Sequence, residues 1–103
     1  MHKTSLTIKE PWMSKIKSGE KKEEYREYKT FYHQRFGRFV GTDEKIQVRL
    51  INGMKKDSPS IVIICKVRVG YGNTEWGAPD NEMVYILDII EVLDKFLEEG
   101  NIG

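Results

Sequence analysis

The sequence predicts an α+β fold, a small mixed β-barrel with short flanking helices, from three observations. Several short segments alternate apolar and polar side chains, which is the pattern of strands with one buried face. Two other segments place apolar and aromatic residues at helical spacing. The predicted order is β-α-β-α-β-β-β with the long strands last, which suits a barrel, because a barrel leaves few strand edges exposed.

The first half of the chain predicts two strands and two helices. Residues 5–9 form the first strand, and residues 11–19 form a helix that a proline opens and a glycine ends. Residues 22–26 are highly charged but predict a second strand. The aromatic residues within 31–36 predict a second short helix. The apolar stripe of the first helix consists of Trp12, Met13 and Ile16.

The second half of the chain predicts the longer strands. Residues 45–51 alternate clearly, the Asn52-Gly53 turn follows them, and residues 61–69 are rich in β-branched side chains. Residues 83–92 predict a last long strand, bent near its middle, and residues 96–97 predict a closing helical turn. The alternation predicts that the barrel interior consists of Ile46, Val48, Leu50, Ile61, Ile63, Val67, Tyr85 and Leu87.

The chain length and the charge distribution bound the function. The 103 residues contain no internal repeat, linker or low-complexity segment, so one domain spanning 1–103 is predicted. The net charge is only +1, but residues 1–87 carry 16 Lys and Arg against 11 Asp and Glu, a net of +5. Residues 88–103 carry a net of −4. A basic body with an acidic tail is compatible with a polyanionic partner.

The cysteine count and the hydropathy pattern indicate a cytoplasmic protein without a membrane partner. Cys65 is the only cysteine and lies in an apolar run, which predicts a buried structural thiol and no intrachain disulfide. No apolar stretch approaches the ~20 residues of a membrane span, and the N-terminus lacks the apolar region of a signal peptide. No Cys/His cluster has metal-ligand spacing, so neither a metal nor another cofactor is predicted.

A dense group of charges follows the first predicted helix. On a strand, Lys22, Glu24 and Arg26 share one face, and Glu23 and Tyr25 share the other. Glu24 then lies between two cations on its own face. Spacing alone leaves two interpretations open, a solvated strand whose charges neutralise one another and a functional site.

The residues around this group resemble a known family. The run Gly19-x-Lys21-x-x-Glu24-x-Arg26, preceded by Lys-Glu-Pro-Trp at residues 9–12, is similar to the signature of the ASCH domain of the PUA-like superfamily. The strand and turn at 46–53, the Glu-Trp-Gly element at 75–77 and the final strand also fit the order of elements in that family. The resemblance therefore covers most of the chain.

The resemblance implies a β-barrel with flanking helices and a cleft beside the signature. It also implies a partner that is RNA or a nucleotide-derived small molecule. Lys21 and Arg26 have the chemistry to hold a phosphate or a base edge, and Glu24 can accept from an exocyclic amine. Trp12, Tyr25 and Trp76 are candidates for base stacking, although Tyr25 could equally belong to the core. Packing in the core is the alternative for Trp12, whereas the Gly-rich loop around Trp76 favours an exposed position.

Two alternatives to a binding module stay open. Some ASCH-like proteins are small amidohydrolases that act on an acetylated cytidine, with an implied catalytic set of a Lys, a Thr and a distal Glu. Lys21 matches that Lys, Glu24 stands at the Thr position, and Glu75 and Glu82 are candidates for the distal Glu. In an amidohydrolase or a nuclease, Lys21 and Glu24 are the catalytic candidates. A reactive lysine needs a lowered pKa, which the neighbouring acids are expected to oppose. A protein-interaction domain is the third hypothesis.

Overall fold

Five strands and two short helices make up residues 1–98, the part of the chain that this computed structural model describes. The strands are β1 (Lys3–Thr7), β2 (Glu23–Glu27), β3 (Ile46–Ile51), β4 (Ser60–Tyr71) and β5 (Met83–Leu93). The helices are α1 (Trp12–Lys17) and α2 (Thr30–Phe36), and short 3₁₀ turns cover Gly37–Phe39 and Thr74–Trp76. None of the helices in residues 1–98 is long and apolar enough to cross a membrane.

The strands form one mixed sheet in the order β1-β3-β4-β5-β2. The β1–β3 pair is parallel and the other pairs are antiparallel. The predicted α+β class is confirmed, and the sheet curls into a half-barrel that keeps the edges a full barrel would remove. It stays open because β1 and β2 are edge strands that do not pair with each other; the side chain of Arg26 instead donates to the carbonyl of Thr7 at 2.7 Å.

The predicted interior is confirmed. All eight predicted residues are buried and belong to one core cluster on the concave face of the sheet, which also includes Met13, Ile16 and Phe36 from the helices. In β4 the alternation runs unbroken, because the irregularity lies in the partner strand. Ile64 pairs with Glu91 and Cys65 pairs with Ile89, so Ile90 is an extra residue that bends β5 just beyond the predicted position.

The prediction of a closing helical turn at residues 96–97 is wrong. These residues are irregular and lie against the sheet, where the N–H of Leu97 donates to the Gln47 side-chain carbonyl at 2.8 Å and the Lys3 ammonium lies over the Phe96 ring. Gln47 is fully buried, so the backbone of residue 97 satisfies a polar group that would otherwise have no partner. This long-range bond has no local sequence signal.

The buried thiol of Cys65 leads to a simple prediction. Its burial in the core raises the pKa of the thiol to about 12, and the thiolate is the form that alkylating reagents attack. Iodoacetamide near neutral pH is therefore expected to leave Cys65 unlabelled in the folded protein and to label it fully in denaturant. Mass spectrometry of the intact protein measures both states, and fast labelling without denaturant would show that the core opens at Cys65.

Candidate ligand-binding cleft

A cleft of about 350 Å³ lies where α1, β2 and the loop after β4 meet. We call it the tryptophan cleft. Its volume is near the lower end of the range for small-molecule sites, about 300–1,000 Å³. All five residues that were predicted to contact a ligand line it, namely Trp12, Lys21, Glu24, Arg26 and Trp76. The rest of the lining comes from Thr7, Ile8, Lys9, Glu10, Tyr25 and Gly77.

The end of α1 directs Lys21 into the cleft. Gly19 follows the helix with a φ of +84°, a left-handed conformation that glycine adopts without strain. The chain reverses there, and the N–H of Lys21 donates to the carbonyl of Lys15 at 2.9 Å. The Lys21 side chain then lies beneath the helix, where only 1% of it is exposed.

An ion triad forms the floor of the cleft. One carboxylate oxygen of Glu24 lies 3.3 Å from the Lys21 ammonium, and the other lies 3.0 Å from the Arg26 guanidinium. The ammonium also donates to the backbone carbonyl of Trp76. Two cations and one anion leave a formal excess of one positive charge, in a place where low solvent exposure strengthens its field.

Aromatic rings enclose the ammonium of Lys21. Its Nζ atom lies 4.9 Å from the centre of the Trp12 ring and 4.5 Å from that of Tyr25, within the range of cation–π attraction. Burial lowers the pKa of Lys21, and this effect outweighs the opposite effect of Glu24. The expectation that neighbouring acids would prevent such a lowering is therefore not met, because desolvation is the larger cause.

Close packing of a glycine-containing loop positions the two tryptophans. Trp76 is half-buried, and it packs against a second core cluster that includes Tyr25. Gly77 follows it with a φ of +96°, and a Cβ atom there would lie 2.9 Å from Cζ2 of Trp12. A side chain at Gly77 would therefore meet both backbone strain and a collision with Trp12. Both tryptophans are intermediate in exposure. Trp12 is therefore only partly packed in the core, and Trp76 is only partly exposed.

The second predicted strand brings two of its three expected residues to the cleft. Glu24 and Arg26 share the cleft face, as the alternation predicted. Lys22 does not join them, because β2 begins at Glu23 and leaves the Lys22 side chain exposed. Lys21, which precedes the strand and escapes the alternation, takes the place beside Glu24.

Sequence reasoning missed the main-chain partners in this site. The carbonyls of Thr7 and Trp76 accept from Arg26 and Lys21, and no side-chain pattern signals a carbonyl acceptor. Lys9 and Glu10 also line the cleft. Both belong to the Lys-Glu-Pro-Trp run at residues 9–12, so the resemblance of that run to the family could have predicted that they lie at the cleft.

Of the acids considered for catalysis, Glu24 lies in the cleft and the two candidates for a distal Glu do not. Glu75 and Glu82 are exposed and do not line the cleft. Glu10 lines its mouth, where its carboxylate accepts from the N–H and hydroxyl of Ser14 at 2.9 and 2.7 Å, and these bonds lower the pKa of Glu10. Among residues 1–98, Glu24 is the one acid within salt-bridge distance of Lys21.

The site has no metal-binding character in the described part of the chain, where no three His, Cys, Asp or Glu side chains are grouped to hold an ion. The chemistry available comes instead from the ion triad, from Lys9 and Glu10, and from aromatic rings. Comparison of the chain with protein-family models, with curated proteins and with solved structures finds no match. The physical features of the cleft therefore carry the functional interpretation.

Proposed function

We propose that the domain binds single-stranded RNA or a nucleotide-derived ligand in the tryptophan cleft, as a PUA-like domain of the ASCH type. The observation that carries this proposal is the ion triad, which holds one excess positive charge beside the rings of Trp12 and Tyr25 in a cleft of about 350 Å³. Nucleotides combine a planar ring with hydrogen-bonding edges and a negative phosphate. They match both features of the cleft.

Of the two cations in the ion triad, Arg26 is the one that a ligand reaches more readily. Its side chain is 15% exposed, against 1% for that of Lys21. The guanidinium is held by Glu24 and by the Thr7 carbonyl, so its orientation is fixed before a ligand arrives. A preoriented guanidinium forms directed, charge-assisted bonds to a phosphate or to a base edge. Lys21, in this proposal, supplies charge and holds Glu24 in place.

Binding explains the contacts of Lys21 better than hydrolysis does. Its lowered pKa favours a reactive amine, which keeps the amidohydrolase as a second candidate. However, the ammonium already donates to Glu24 and to the Trp76 carbonyl, and it lies between two rings. These contacts hold the ammonium in position, which suits binding of an anionic ligand more than attack by a free amine. A hydrolase would need a further acid or base within reach of the scissile bond.

Replacing Arg26 by Ala tests the proposal. We expect the affinity for short single-stranded RNA to fall by about 1–3 kcal/mol if the guanidinium makes a paired contact. We also expect wild-type affinity to fall only modestly as salt rises, because few phosphates are contacted. Fluorescence titration of labelled RNA at two salt concentrations measures both effects.

Arg49 provides the matched control. It is an exposed arginine on β3 that does not line the cleft, so Arg49→Ala removes the same charge from another place. Arg26→Lys keeps the positive charge but loses the paired N–H donors of the guanidinium, so an intermediate affinity is expected. Changes at Lys55 and Lys56, in the loop after β3, should matter less. Equal loss in the Arg26 and Arg49 variants would indicate a general charge effect. Absence of wild-type binding at low salt would refute the proposal.

A further inference from the structure

A second cavity lies beside the tryptophan cleft. It measures about 310 Å³ and is lined by Ser5, Leu6, Thr7, Phe31, Tyr32 and Ile51. We call it the aromatic groove. It lies between the edge strand β1 and helix α2, and most of its lining side chains are apolar. The function proposed above does not use this groove.

The two cavities are neighbours along β1 and share a residue. Thr7 lines both of them, and Ser5, two positions earlier on the strand, lines the groove alone. Two residues of a strand span about 7 Å. Arg26 lies at the junction, where its guanidinium donates to the Thr7 carbonyl at 2.7 Å. The cleft and the groove therefore meet at Thr7, next to Arg26.

The groove has aromatic rings in its lining, and two cations that do not line it lie over those rings. Phe31 is 47% exposed, so part of its ring is open to a ligand. The guanidinium of Arg35 lies 3.8 Å from the centre of the Phe31 ring, and the ammonium of Lys29 lies 5.8 Å from that of Tyr32. Aromatic rings next to positive charges are the surface on which proteins hold the bases and phosphates of single strands.

We propose that the cleft and the groove form one continuous site for a chain of at least two nucleotides. One base occupies the tryptophan cleft, the linking phosphate passes Arg26, and the next base lies against Phe31 in the groove. This inference rests on the proposed function and narrows it: the ligand is an oligonucleotide and not a free nucleotide.

An extended peptide paired with β1 is the competing occupant, and the structure favours it less. The His2 carbonyl and the Ile8 N–H form hydrogen bonds with β3. The backbone N–H and carbonyl groups of the odd-numbered residues between them therefore point to the open edge of the sheet. Of these, Thr7 already has its carbonyl occupied by Arg26, which shortens the edge available to a partner strand. The Arg35 guanidinium over the Phe31 ring also favours an anionic chain, whereas the Lys29 ammonium is already paired with Glu27 at 3.1 Å.

Intrinsic fluorescence gives a direct test, because the two tryptophans of the chain both line the cleft. The probes are adenosine 5′-monophosphate and adenylate chains of two and four nucleotides. For the wild type, we expect affinity to rise about 5- to 150-fold from the mononucleotide to the dinucleotide, the range for one stacked base. Phe31→Ala should abolish that gain and leave the mononucleotide affinity unchanged, and Phe31→Tyr should retain the gain.

Tyr71→Ala is the matched control, since Tyr71 is an aromatic residue that is 67% exposed and lines neither cavity. Tyr71→Ala should keep the full rise in affinity from the mononucleotide to the dinucleotide. Mononucleotide binding without a gain with length, or a gain that survives Phe31→Ala, would overturn this inference and leave the proposed function standing. Binding of a Val-Thr alternating peptide in place of the adenylates, sensitive to Phe31→Ala, would also overturn it. Quenching by none of the nucleotides would refute the proposed function itself.

Discussion

Replacing Glu24 by Gln is expected to lower the free energy of unfolding by about 3–5 kcal/mol, the range for breaking a buried ion pair from one side. The Glu24 side chain is 5% exposed and holds two cations at 3.3 and 3.0 Å. The amide keeps the shape and removes the negative charge. The Lys21 ammonium is then buried with no counter-ion, which is the main source of the loss. Urea denaturation followed by circular dichroism measures the change.

The loss should depend on pH in a defined direction. Glu24 is the largest influence that raises the pKa of Lys21, and burial already lowers that pKa below its ordinary value of 10.5. Glu24→Gln therefore lowers it further. Between the lowered pKa and the ordinary one, the unfolded chain binds more protons than the folded protein, so stability rises with pH. The deficit of Glu24→Gln relative to the wild type should shrink as the pH approaches 10.5.

A second substitution separates charge from packing. Lys21→Met in the Glu24→Gln background removes the uncompensated charge and keeps a long side chain beneath Trp12. The double variant is expected to recover most of the lost stability, because a buried pair is often replaced by uncharged residues at little cost. Two results would contradict this account of the triad. One is an unfolding free energy of Glu24→Gln within about 1 kcal/mol of the wild-type value, and the other is a double variant that is no more stable than Glu24→Gln alone.

Replacing Phe36 by Ala is expected to cost about 3–5 kcal/mol of unfolding free energy, the range for removing a buried phenyl ring. Phe36 is fully buried in the main core cluster, 5.9 Å from the Tyr85 ring and stacked on Tyr32. It anchors α2 to the sheet. For a domain of this size such a loss is a large part of a total of about 5–15 kcal/mol. The thermal midpoint should fall by more than about 10 °C.

The same helix supplies the control. Phe31→Ala deletes the same ring one turn and a half earlier, where it is 47% exposed, and should cost no more than about 1 kcal/mol. Phe36→Leu keeps most of the apolar volume and should fall between the two alanine variants. Similar losses at positions 31 and 36 would mean that α2 does not dock through Phe36. That result would also weaken the geometry of the aromatic groove.

Alternation alone predicted the core correctly. Ile46, Val48 and Leu50 are buried on one face of β3, and Ile61 and Ile63 of β4 lie beside Leu50 and Val48 on the same face of the sheet. The reason is physical: a strand side chain points to one of two faces, so period-two apolar residues fix which face is inside. The helix starts and ends were also close, because proline and glycine act locally.

The sheet order was beyond such reasoning. Nothing local to β1 indicates that it lies parallel to β3, or that β2 joins β5 at the far edge. These pairings join segments that are distant in sequence. For the same reason the half-barrel was not foreseen, since nothing local to β1 or β2 indicates that the two strands remain unpaired edges.

The sequence by itself determined that the chain has a β-rich core and that charged residues crowd the segment from Gly19 to Arg26. The tertiary structure decided which of these charges form a site. It selected Lys21 over Lys22 as the partner of Glu24, because a left-handed glycine turn, and not strand alternation, sets the direction of residue 21. It also brought Trp12 and Trp76 to the same cleft from opposite parts of the chain. Local preferences act over a few residues, whereas a cleft is made of contacts between distant segments, and these form only when the whole core packs.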